Sequence, residues 1–439
     1  MSSEDSKRAK KLKRSRVLPT RKDSKDSVSS RRRRPSKKET AQPPLTAADL
    51  MPVPNVVESR EGALVGSGRE ALRRFVLAIV RRGVEPLRAE FEPPKEAARA
   101  APLTREAMDA NLVRCRYKDV QCWDQTRVRL HFPAGNPLDF VHANWVRDAA
   151  LQNAFICAMA PLDATVEDFW RLVWQERVCL ILMLCQCTEG RKTKCAEYWP
   201  KTGGESKTVG PFVVTTSEVD TSDPAIPLTR MTLQCTCPRP RRPLTHRPLA
   251  DGQEARTVEH RQWSTWPDKS VPRTATAAFK LLLHPKETPN NPTLVHCSAG
   301  ADRTGTLILI EMVIRHVLGD ARTARVVELL RALRLQRAQS VQTEDQFVFA
   351  HFALVQYALV RRAVELDEVA GFVRDYEQYL KQLDSSTKIK AGKRKTSLKQ
   401  PSDDDLTEML PANGTPRRNQ SRRRSLEPKK SKESYKNPR

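Results

Sequence analysis

A change of pattern at residue 296 restricts this chain more than any other feature. Thr293-Leu294-Val295 is a short apolar run that ends at His296. Cys297-Ser298-Ala299-Gly300-Ala301-Asp302-Arg303-Thr304-Gly305 are all small or polar, and residues 304–318 then repeat apolar side chains at helical spacing. The pattern reads as a buried strand, a tight loop and a buried helix, which suits an α/β domain. A loop of this kind can curl its backbone N–H groups around an anion at a helix amino terminus, and small side chains let the backbone approach. Cys297 stands where the helix dipole and nearby cations favour a thiolate, a nucleophile at neutral pH. Arg303, on the far side of the loop, can return its planar fork to two oxygens of a phosphate.

The rest of the chain supplies the layers such a segment needs. Leu72, Phe75, Val76, Ile79 and Val80 predict a first helix between residues 66 and 87. Alternation from Arg127 to Phe132 predicts a half-buried strand, and the continuous apolar run at 178–185, fed by a helix from Glu167, predicts a strand covered on both faces. Phe212-Val213-Val214 and Met231-Thr232-Leu233 read as further strands, and helical periodicity returns at 323–334, 344–363 and about 364–383. With strands in the middle and helices gathered late, a mixed sheet flanked by helices is expected.

Charge divides the chain differently. Of the formal +25, residues 1–40 carry a net +11 and residues 385–439 a net +10, so the body is almost neutral. Runs such as Arg31 to Arg34 lack apolar periodicity and cannot bury enough surface to offset chain entropy. The expected organisation is a disordered basic arm over 1–60, a folded domain over 61–365, a helical extension over 366–384 and a disordered basic tail over 385–439. Such arms suit a solubilising role, a nuclear import receptor or an anionic surface. The charged amino terminus resembles no signal peptide, and the run at 178–185 is too short to span a bilayer. The expectation is an intracellular protein, cytoplasmic or nuclear, without a transmembrane segment, whose ten cysteines are free thiols.

The loop does not stand alone. Trp266-Pro267-Asp268 lies upstream of it and Val341-Gln342-Thr343-Glu344-Asp345-Gln346 downstream. Arg116-Tyr117-Lys118-Asp119-Val120, Asp139-Phe140-Val141-His142-Ala143-Asn144, Asp168-Phe169-Trp170 and Lys194-Cys195-Ala196-Glu197-Tyr198-Trp199-Pro200 precede both. In this order the set resembles the protein tyrosine phosphatases, of non-receptor type, over roughly residues 62–365. The resemblance implies a central, highly twisted mixed sheet and hydrolysis of phosphotyrosine in proteins through a phosphocysteine intermediate, without metal or organic cofactor. It makes Cys297 the nucleophile, Arg303 the phosphate ligand and Asp268 the acid that protonates the leaving oxygen and later acts as base. Ser298, Ala299, Gly300, Ala301 and Asp302 form the phosphate cradle. Gln342 places the hydrolytic water with Gln346 in support, Thr304 stabilises the departing thiolate and His296 tunes it. Tyr117 stacks on the phosphotyrosine ring and Asp119 holds the substrate backbone. Glu189 and Lys194 orient the arginine and the acid loop to which Trp266 and Pro267 belong.

Asp302 departs from that pattern, since the family usually has glycine before the arginine. A carboxylate there would repel a dianion, raise the thiol pKa and compete for Arg303, or it could point outward. Myotubularin-like and Sac-like phosphoinositide phosphatases carry an aspartate at this place. Two alternatives to phosphotyrosine hydrolysis follow: a pseudophosphatase that binds phosphotyrosine proteins or scaffolds partners, and a phosphoinositide phosphatase. Met159 and Ala160, where the family usually has Gln-Gly, are milder departures. The pairs Cys185/Cys187 and Cys235/Cys237 have one residue between them, which suits packing on one strand face better than zinc. Arg422-Arg423-Arg424-Ser425-Leu426 and Lys395-Thr396-Ser397-Leu398 resemble sites for basic-directed Ser/Thr kinases.

Overall fold

The computed structural model describes residues 43–51, 64, 66–94, 102–237, 254–267, 270–287, 290–320 and 325–396. The chain divides into two units at Pro44/Leu45, and the account below concerns the unit that begins at Leu45. The basic runs of the amino-terminal arm, Ser397 and the motif around Ser425 lie outside the described residues.

Nine strands form one sheet: β1 (Arg127–Arg129), β2 (Phe140–Val146), β3 (Phe155–Ala158), β4 (Leu180–Met183), β7 (Ser206–Val209), β8 (Phe212–Asp220), β9 (Leu228–Cys235), β10 (Glu254–Gln262) and β11 (Thr293–His296). Two short strands, β5 (Thr188–Glu189) and β6 (Lys192–Thr193), make a separate hairpin. The spatial order is β1-β2-β3-β11-β4-β10-β9-β8-β7. Its centre, β3-β11-β4-β10, is parallel and both flanks are antiparallel. This is the expected mixed sheet. Every residue of β3, β4 and β11 is buried, because these strands have neighbours on both edges and cover on both faces, and their sequences FICA, LILM and TLVH are correspondingly apolar.

Helix Asp302–Asp320 continues from β11 and packs on helices Gly66–Arg82, Val326–Gln336 and Glu344–Val360, while Val166–Gln175 lies against β2 and β7. The single helix expected between 66 and 87 is two, because Gly83 adopts φ 76° between Arg82 and Val84. The strand expected to Phe132 stops at Arg129. Strand β10 is absent from the sequence reading: EARTVEHRQ is too polar to signal a strand, and it forms because β4 and β9 pair with its two edges. Helix Leu366–Thr396 runs past residue 384, where the extension was expected to end, through a lysine-rich stretch that contains good helix formers. No helix among the described residues is long and apolar enough to cross a membrane.

Candidate active site

The loop 297–301 sits at the carboxyl end of the central parallel strands, where open α/β sheets place their ligands. Its curl depends on Gly300, whose φ is 66° and whose added Cβ would lie 2.0 Å from the Ala158 carbonyl oxygen. Neighbouring backbone fixes the rest: Ala160 N–H donates to the Ser298 carbonyl at 3.1 Å, and Val341 N–H to that of Ala301 at 3.1 Å. Arg337, fully buried, donates from Nε to Gly300 O and from Nη2 to Ala299 O, both at 2.8 Å. Its Nη1 donates to Asn144 Oδ1 at 2.7 Å. Those carbonyls are thus tied away from the centre, and the Gly300 N–H points to Cys297 Sγ at 3.2 Å. Arg337, which follows helix Val326–Gln336, has no sequence signal that separates it from the neighbouring arginines; only tertiary contact identifies it.

Arg303 is held in a matching cradle. Its Nη2 donates to Glu189 Oε2 at 2.8 Å, and its Nη1 reaches Glu189 Oε1 and, at 2.9 Å, the Leu184 carbonyl. Burial is the largest single influence and opposes the guanidinium charge, but the Glu189 hydrogen bond together with the charges of Cys297, Glu189 and Asp302 outweighs it and keeps the pKa above the ordinary arginine value. Lys194 Nζ is 3.7 Å from Glu189 Oε2, so the hairpin β5-β6 and the residue after it bring both supporting charges to the loop.

Cys297 is wholly buried, and its thiol donates to Asp302 Oδ1 at 2.6 Å. Of the orientations open to Asp302, the inward one is realised. Burial, then the Asp302 charge and hydrogen bond, push the Cys297 thiol up to about 11, against a smaller opposing pull from the Thr304 side chain and N–H. Cys297 therefore rests as a neutral thiol hydrogen-bonded to a carboxylate.

Behind it, His296 Nδ1 lies 3.1 Å from the Cys297 carbonyl and Nε2 lies 2.8 Å from the Tyr198 hydroxyl. Tyr198 also meets His260 Nε2 at 2.8 Å. Burial holds both imidazoles below their ordinary range, His296 at about 4 and His260 at about 3, so both are neutral. A His296 ring that donates from Nδ1 must accept at Nε2; Tyr198 then donates to it and accepts from His260. Tyr198 appears in the sequence motif without a role, and His260 carries no signal at all.

Tyr117 forms the wall of the loop, with its hydroxyl 2.9 Å from Ser298 Oγ, which itself donates to the Lys194 carbonyl at 2.9 Å. Met159, at the family's usual glutamine position, is buried beside Ala299 and Ala301, and its sulfur accepts the Arg116 N–H at 3.1 Å. Asp119 is exposed, and its carbonyl accepts from Gln339 Nε2. Gln342 donates from its backbone to Gln346 Oε1 at 2.8 Å and turns its side chain to Gln339 Oε1 at 3.4 Å. Trp266 packs 4.6 Å from the Trp263 ring and 5.6 Å from Phe349, Pro267 is exposed, and Asp268 lies outside the described residues. The structure thus brings together Cys297, Asp302, Arg303, His296, Ser298, Tyr117, Glu189 and Lys194. All ten cysteines are free, and among the described residues no group of three or more His, Cys, Asp or Glu could hold a metal ion.

The family model for protein-tyrosine phosphatase matches residues 111–356. Receptor-type tyrosine-protein phosphatase eta of Gallus gallus is 35% identical over 59% of this chain and 18% of its own length. Tyrosine-protein phosphatase non-receptor type 9 of Mus musculus is 31% identical over 56% of this chain and 42% of its own length. The chain thus spans well under two thirds of these relatives. The solved catalytic domain of human protein tyrosine phosphatase non-receptor type 18 superposes with a TM-score of 0.55 at 27% identity, covering 66% of this chain and 99% of that one. The chain, with its Cys297 loop at the centre of the expected sheet, belongs to the protein tyrosine phosphatase family.

Proposed function

We propose that the chain hydrolyses phosphotyrosine in proteins through a phosphocysteine intermediate. The observation that supports this most is the Arg303–Glu189 pair, buried beside the Cys297 loop with its guanidinium pre-oriented. In the first step Cys297, after losing its thiol proton to solvent, attacks as the thiolate: its sulfur forms a bond to phosphorus as the bond to the phenolic oxygen breaks, and Asp268 gives that oxygen a proton. In the second, a water positioned by Gln342 and Gln346 attacks phosphorus, Asp268 takes its proton, and the thiolate that leaves is stabilised by Thr304. Tyr117 supplies a wall whose depth suits an aromatic phosphoester. Phosphate release from phosphotyrosine peptides by the full chain, with Cys297→Ser as the blank, tests the reading; equal release by both proteins overturns it.

A second reading rests on one observation: the 2.6 Å contact between Asp302 and the thiol puts a carboxylate where the phosphoryl group must enter. On this reading the domain binds phosphotyrosine proteins, or scaffolds partners, with little turnover. Saturable binding of a phosphotyrosine peptide by the wild type without phosphate release would select it.

A further inference from the structure

Outside the cleft, one pair of thiols is arranged for chemistry of its own. The carbonyl of Cys187 accepts two N–H groups across the base of the β5-β6 hairpin, from Lys194 at 2.8 Å and from Cys195 at 3.2 Å. Two residues therefore oppose one, as in a β-bulge, and the bulge brings Cys195 to the side of Cys187. The two thiols are near enough to shift each other's ionisation, and Cys195 Sγ donates to the Ala196 carbonyl at 3.1 Å. The hairpin register, Thr188 facing Thr193 and Glu189 facing Lys192, continues to Cys187 opposite Lys194, so Cys195 is the extra residue of the bulge, next to the partner of Cys187. Cys187 is half-buried and reachable from solvent, whereas Cys195 is buried.

We propose that Cys187 is the thiol of this protein that hydroperoxides oxidise, and that Cys195 closes it to a disulfide. The Cys187 thiolate attacks the terminal peroxide oxygen and the O–O bond breaks. One oxygen stays on sulfur as a sulfenic acid, and the other leaves as water or an alcohol after taking a proton. The Cys195 sulfur then attacks the Cys187 sulfur and gives up its proton, and the hydroxyl departs as water. The sequence reading assigned Cys187 only to packing.

The surroundings decide which thiol reacts first. Hydrogen bonding from Cys195, opposed by burial and helped by the Lys201 ammonium against Glu197, brings Cys187 down to about 7. Cys195 stays well above the ordinary thiol value, chiefly through burial, as a resolving thiol that keeps its proton until attack. Cys297 at about 11 is, at pH 7, about 10⁻⁴ thiolate against about half for Cys187. The lower basicity of Cys187 returns part of that advantage, because nucleophilicity falls with pKa, and Cys187 is also the more accessible of the two sulfurs. Neither reading of the catalytic loop is needed for this inference.

Limited hydrogen peroxide on the full chain, followed by alkylation and trypsin, tests it, since cleavage at Arg191, Lys192 and Lys194 leaves a 187–195 bridge as two joined peptides. The bridge should form before Cys297 is oxidised, Cys195→Ser should accumulate a dimedone-labelled sulfenic acid at Cys187, and Lys201→Gln, a change at an exposed side chain, should slow bridging several-fold. Oxidation of Cys297 first, or a Cys187 sulfenic acid that persists in the wild type, overturns the proposal.

Discussion

Replacing Asp302 by glycine should release Cys297. The carboxylate is 2.6 Å from the sulfur and, after burial, is the chief reason that the thiol stands at about 11 rather than its ordinary 9.0. At pH 7 a thiol at about 11 is thiolate in about one molecule in ten thousand, and recovery of one unit multiplies that population about tenfold. Substrate gains separately. A carboxylate about 4 Å from a phosphoryl group costs about 4 kcal/mol per unit of phosphate charge at an effective dielectric of 20, before ions and geometry reduce it. Taking only part of that term, kcat/KM should rise about 10²–10³-fold. The sign with pH follows. The wild-type rate should climb with unit slope from pH 6 toward 9, because the thiolate grows with each unit below about 11. The curve for Asp302→Gly should level off at lower pH. The assay is phosphate release from a phosphotyrosine peptide by wild type, Asp302→Gly, Asp302→Asn and Cys297→Ser, with melting temperatures measured beside it. An Asp302→Gly protein that melts like the wild type and yet turns over no faster would refute the assignment of Asp302 as the brake.

Three further outcomes follow. Arg337→Met should leave the carbonyls of Ala299 and Gly300 unpaired and cost about 3–5 kcal/mol, read by urea denaturation, with loss of turnover. Tyr198→Phe removes the bridge between His260 and His296 and should cost about 1–3 kcal/mol in the same assay, with no reduction if the network is idle. Alkali should unfold the domain early. Buried Cys122 and Cys157 stand at about 11 and about 12 in the fold, and both ionise near 9.0 when unfolded. Above pH 9 the unfolded chain binds fewer protons, so each such thiol should remove roughly 1.4 kcal/mol per pH unit until its folded pKa is passed, measured as the urea midpoint from pH 8 to 11.

What the sequence determined by itself is whatever depends on neighbours along the chain. Cys297, Gly300 and Arg303 are legible because strand, small-residue loop and helix must follow one another directly, and β4 and β11 because uninterrupted apolar runs have few other places to go. Glu189 is legible only through the family pattern, and its hold on Arg303 becomes physical when the β5-β6 hairpin folds over the loop. The tertiary structure alone decided the rest. β10 is a strand because two partners claim its edges, and Arg337 is a loop ligand because its buried guanidinium finds two carbonyls about 37 positions away in sequence. Asp302 could have faced water or sulfur with the same sequence around it. It faces sulfur, and that direction, which only the folded loop decides, raises the pKa of the Cys297 thiol.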